Sequence, residues 1–102
     1  MNSTNRIAPE VELIVLLPNG VELPKDEHDE FRREIEDAIP WLPPGVTCRI
    51  EHLVTPRFWL PKNNRKRRDL GRVLAYWVAN GELPLEFVGD RRRGNKRYRR
   101  KT

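Results

Sequence analysis

One cysteine and one serine are all this chain offers of two common nucleophiles. Cys48 has no second cysteine to bond, so no internal disulfide forms. Lying in a β-branched run, it reads as a small buried hydrophobe rather than a reactive thiol. A lone thiol also fits a reducing compartment. Ser3 sits in a polar stretch without periodicity, so no Ser–His–Asp set is expected. Soft metal ligands are as sparse: His28, His52 and Cys48 lack paired spacing, and no metal or other cofactor is expected. No glycine-rich run matches a P-loop or a dinucleotide fingerprint. No apolar run is long enough to span a bilayer, and no apolar segment follows basic residues at the start. The expectation is a cytoplasmic protein without catalysis and without a membrane partner.

Charge is what the chain has in quantity, and it is unevenly placed. Residues 1–55 carry 5 Lys/Arg against 11 Asp/Glu, a net of −6, and residues 56–102 carry 15 against 4, a net of +11. The overall +5 hides a dipolar molecule. Concentrated positive charge points to polyanions, because neutralising phosphates releases condensed counterions. At 37% apolar residues the 102-residue chain builds one domain with a thin core, to which three Trp and three Phe contribute large areas.

Glu10 to Leu17 is apolar on both faces toward its end, which predicts a central strand. Pro18-Asn19-Gly20 then predicts a tight type I′ hairpin with a short second strand, Val21 to Leu23. Pro24 and Asp26 open a helix whose first turn is acidic and whose stripe is Phe31, Ile35, Ala38 and Ile39. Asp29/Arg33 and Arg32/Glu36 are its expected i,i+4 pairs. Pro40 stops it, and Trp41 is the large anchor of a rigid Pro-rich loop. Val46 to Val54 alternates as a half-buried strand. At Thr55 to Pro61 the charge changes sign; Phe58 and Trp59 are expected to be buried there, between two lobes. A second helix follows an Asn N-cap, with Leu70, Val73, Leu74, Trp77 and Val78 as its stripe and Gly81 just past its end. Leu85 to Val88 and Lys96 to Arg100 form a second hairpin, with Arg91, Arg92 and Arg93 in its loop.

The basic helix and hairpin are the strongest constellation. At about 100° per residue, Arg65, Arg68 and Arg72 share one side of the helix, opposite the apolar stripe. Arg91, Arg92, Arg93, Lys96, Arg97 and Arg99 supply the hairpin. A helix on the groove beside a wing that touches the backbone has this sequence logic. The polyanion expected is DNA ahead of RNA, and nothing in the pattern assigns base reading. A metal-free ribonuclease using His52, Tyr98 and the arginines is a competing class. A third is protein interaction, through the acidic helix with Asp26, Glu27, Asp29, Glu30, Glu34, Glu36 and Asp37.

Residues 67–99 also carry Arg68-Asp69-Leu70-Gly71-Arg72, then Gly81-Glu82-Leu83-Pro84, then Val88-Gly89, then Asn95-Lys96-Arg97-Tyr98-Arg99. With Phe58-Trp59 ahead of the helix, this third of the chain resembles a family of short bacteriophage and prophage proteins of unknown biochemical function. The resemblance implies a winged-helix-like unit and a mobile-element origin, and it names no activity. Residues 1–55 lie outside it.

The expected protein is therefore α+β. An acidic β-β-α-β lobe, residues 1–55, packs on a basic, winged-helix-like helix-hairpin lobe, residues 56–102. Its expected role is a small DNA-binding regulator, or alternatively a module that binds a host protein through the acidic lobe. A C2 dimer placing two wings on adjacent grooves is compatible with this pattern.

Overall fold

The computed structural model describes residues 13–89 and 96–101. It is α+β: β1 (Ile14–Leu16), β2 (Glu22–Pro24), α1 (Lys25–Ala38), β3 (Thr47–Cys48), α2 (Pro56–Trp59), α3 (Asn64–Ala79), β4 (Leu85–Phe87) and β5 (Tyr98–Arg100). β1 and β2 form an antiparallel pair, while β3, β5 and β4 form a second sheet in that order.

The first hairpin turns differently from the expected Asn-Gly type. Gly20 N–H donates to Leu17 O at 2.9 Å, which places Pro18 and Asn19 at the centre of the turn. Proline already holds φ near −65°, and Gly20, at φ 91°, takes the positive-φ position that follows. β1 is also not a central strand, for β2 is its one partner among the described residues. Val15 packs on the core, while Ile14 and Leu16 face outward, Leu16 being 66% exposed.

α1 buries Phe31 and Ile35 and passes through Ile39 into one tight turn, Ile39–Trp41, that contains Pro40. Its Arg32–Glu36 pair forms, but Asp29 pairs with Lys25 and His28 rather than with Arg33. Trp41 anchors nothing: it stands 86% exposed.

The strand expected over Val46 to Val54 stops after Cys48. The N–H of Arg49, which a longer ladder would need, donates instead to His52 Nδ1 at 3.0 Å. Ile50 to His52 coil into a tight turn, burying Leu53.

α3 is capped by Asn63, whose side chain accepts from Lys66 N–H at 2.8 Å. Gly81, at φ 71°, closes its other end. All five residues of its expected stripe are buried. Phe31 stacks between Phe58 and Trp77, with ring centroids 5.7 and 5.4 Å away. One cluster holds Leu23, Phe31 and Ile35 together with Phe58, Leu70, Trp77 and Tyr98, so the core is continuous across the charge boundary. β3 crosses it too, pairing Thr47 with Arg99 and Cys48 with Tyr98.

Candidate nucleic-acid interface

Along α3 the residues three and four apart stand above one another, and the buried stripe turns Arg65, Arg68 and Arg72 outward, where all three are exposed. None is ion-paired among the described residues. An open cleft lies on each side of this row. The first, of about 500 Å³, is bordered by Arg68, Gly71 and Arg72 of α3, by Arg49 and Ile50 after β3, by Trp59 of α2 and by Lys96 before β5. The second, of about 600 Å³, separates Arg65 and Arg72 from the first hairpin at Gly20 to Glu22.

The nine arginines and lysines singled out in the sequence are thus sorted. Arg68, Arg72 and Lys96 meet at one cleft, and Arg65 continues the row beyond it. Arg72 Nη2 also donates to Asn19 O, and Asn19 Nδ2 to Arg72 O, each at 3.2 Å, tying the first hairpin to α3. A guanidinium has five N–H donors, so this leaves most of them available. Arg97 is exposed. Arg99 reaches Glu86 Oε2 with both Nε and Nη2 at 2.8 Å across the β4–β5 pair, which takes up one edge of its guanidinium. Arg91, Arg92 and Arg93 lie outside the described residues.

Two cations at the first cleft escaped the sequence reading. Arg49 arrives there because its strand ends early. Arg67 lies over the Trp59 ring at 5.0 Å and donates from Nη2 to Trp59 O at 3.2 Å. Its Nε is buried and has no partner among the described residues. The only sequence signal for it was the unbroken basic run from Arg65 to Arg68. At Gly71 a Cβ would meet nothing within 4 Å, so no other backbone presses on it. It leaves α3 bare at the cleft, at a helix cost of about 1 kcal/mol against alanine.

The acidic helix turns much of its charge inward on this chain. Glu27 binds Lys62 at 3.1 Å and Lys66 at 2.8 Å, and Lys62 lies 4.4 Å above the Phe58 ring. Burial by itself would raise the Glu27 carboxyl, but hydrogen bonds from Lys66 and Lys62 outweigh it and hold the group below its ordinary 4.5. A lowered folded-state pKa gives stability that is full above 4.5 and fades as pH falls through the folded value. Glu27→Gln is therefore expected to cost about 1–2 kcal/mol at pH 7. Thermal unfolding from pH 7 to 3 checks it: the gap to wild type should close in acid, and a constant gap would remove the ion pair as its source. The pairing spares the cleft, because Lys62 and Lys66 are not among the row. Asp26, Glu30 and Asp37 remain without a partner among the described residues.

The ribonuclease grouping is not brought together. Tyr98 is buried in the core, and His52 borders a separate depression with Glu34 and Asp37. Burial raises the Cys48 thiol above its ordinary 9.0, which keeps it protonated. Among the described residues no three His, Cys, Asp or Glu side chains gather to hold a metal ion, and no helix is long and apolar enough to cross a membrane. No family model, curated protein or solved structure matches the chain.

Proposed function

We propose that the protein binds nucleic acid, DNA ahead of RNA, through the arginine row of α3 and the β4–β5 hairpin beside it, as a regulator without catalysis. The observation that carries this reading is the exposed row Arg65, Arg68 and Arg72, unpaired among the described residues, with Arg49 and Lys96 converging on it from two other segments. These five cations make no ion pair among the described residues and outnumber Glu51 and Asp69, the carboxylates nearest them that share α3 or the Arg49 segment, so a chain of phosphates relieves their mutual repulsion.

The order of elements supports a winged arrangement. From α1 onward it runs helix, strand, two helices across the turn Leu60–Asn63, then a strand hairpin, with β5 between β3 and β4. In that reading α3 is the recognition helix, of a width that a major groove about 12 Å across admits. The hairpin is the wing. A regulatory role in a phage or prophage belongs to the same proposal and rests on the resemblance of residues 67–99 alone.

The test is fluorescence anisotropy of a labelled random 25-mer duplex, titrated with protein from about 50 to 200 mM salt. Four to five phosphate contacts predict a logarithmic salt slope of about −4. No binding at low salt would overturn the reading. It would move attention to a basic protein partner for Asp26, Glu30 and Asp37 on α1.

A further inference from the structure

The cleft between α3 and the Arg49–Ile50 segment has a shape that duplex backbone does not need. It is a hollow of about 500 Å³, within the range of small-ligand sites, about 300–1,000 Å³. Its surface divides by chemistry. Ile50, Trp59 and the bare helix backbone at Gly71 are apolar or uncharged, while Arg49, Arg68 and Lys96 are cationic and outnumber the one carboxylate on the border, Glu51.

One further observation points to an occupant. A side chain at Gly71 would have open space, so packing does not demand glycine there, and the missing Cβ keeps the hollow deep.

We infer that the cleft receives one unstacked base of a single-stranded nucleic acid, its ring against Ile50, Trp59 and Gly71 and its flanking phosphates on Arg49, Arg68 and Lys96. This rests on the nucleic-acid reading above and narrows it. The cleft then adds a contact that stacked duplex bases do not make, and a base gains from an apolar and aromatic wall whatever its identity.

The experiment compares two labelled ten-residue oligomers by anisotropy on the full chain. One is deoxythymidine; the other has abasic sugars throughout and the same number of phosphates. The thymidine oligomer is expected to bind about 10-fold tighter at about 50 mM salt, the scale of one stacked base. Gly71→Leu, which fills the hollow, is expected to abolish that difference while leaving the abasic oligomer's affinity unchanged. If Gly71→Leu unfolds, Gly71→Gln serves the same purpose, with the thermal midpoint of each variant measured beside it. Equal binding of the two oligomers, or a difference that survives the filled cleft, overturns the base site while the phosphate-binding reading stands. If neither oligomer nor the 25-mer duplex binds, the reading beneath it has failed as well.

Discussion

Arg65→Ala with Arg68→Ala is expected to weaken binding to a 25-mer duplex by about 10- to 100-fold near 0.1 M salt and to flatten the salt slope by about 2. Both residues are exposed and ion-paired to nothing among the described residues, so folding should hold within about 0.5 kcal/mol. Arg72 is left in place, because its guanidinium also holds the Asn19 carbonyl and its loss would mix a structural effect with a binding one. Anisotropy over a salt series separates the two quantities. A lower affinity with an unchanged slope would mean that the arginines shape the surface without touching phosphate. An unchanged affinity would take the exposed row of α3 out of the interface altogether. The loss should be similar across duplex sequences, because contacts to phosphate position a protein without reading bases.

The largest effect on stability is expected from Phe31→Ala, at about 3–5 kcal/mol. Phe31 is fully buried and joins α1 to both α2 and α3, through Phe58 and Trp77. With Phe31 itself these rings span three helices, so collapse into the vacated space would require several elements to shift at once. Against a typical total of about 5–15 kcal/mol, the variant would be marginally folded. Urea unfolding checks this: the midpoint should fall with the slope unchanged. A loss below about 1 kcal/mol would mean that the aromatic stack is not what holds α1 to the rest.

Where periodicity and burial coincide, the chain was legible. α1 and α3 carry apolar stripes that the core uses residue for residue, and Asn63 and Gly81 mark α3's ends by chemistry that is local to each position. The second hairpin was also legible, since Tyr98 and Phe87 pair across it. Alternation misled in two places for one reason. It records which side chains are apolar, but not whether a neighbouring strand exists to complete the ladder. Ile14 and Leu16 are apolar yet exposed, because β1 has one described partner and the helices lie on its other face. Ile50 and Leu53 continue an apolar pattern, but His52 captures the Arg49 N–H and coils the chain.

The interface was half legible. The helical period placed Arg65, Arg68 and Arg72 together, since all three lie on one element. Arg49 was invisible to that reasoning, because its position at the cleft depends on where a strand stops. The Arg99–Glu86 ion pair was likewise invisible, because it depends on a register that only strand pairing defines. Trp41 shows the same limit: a large apolar side chain held by prolines was expected to anchor the loop, yet it faces solvent.

The shortness of β3 has a consequence for how the cleft behaves over time. Two residues hold this strand to β5 across about fifty positions of sequence, so the pairing closes a long loop with little local reward. Such an edge opens far more readily than the helices around it, in the manner of a cooperative unit that detaches while the rest stays folded. Arg49 and Ile50 follow directly after that edge and form one side of the cleft. α3 is fixed by five buried residues, whereas the opposite wall is held by the two residues of β3 and by Leu53. The candidate cleft therefore has one wall held more firmly than the other.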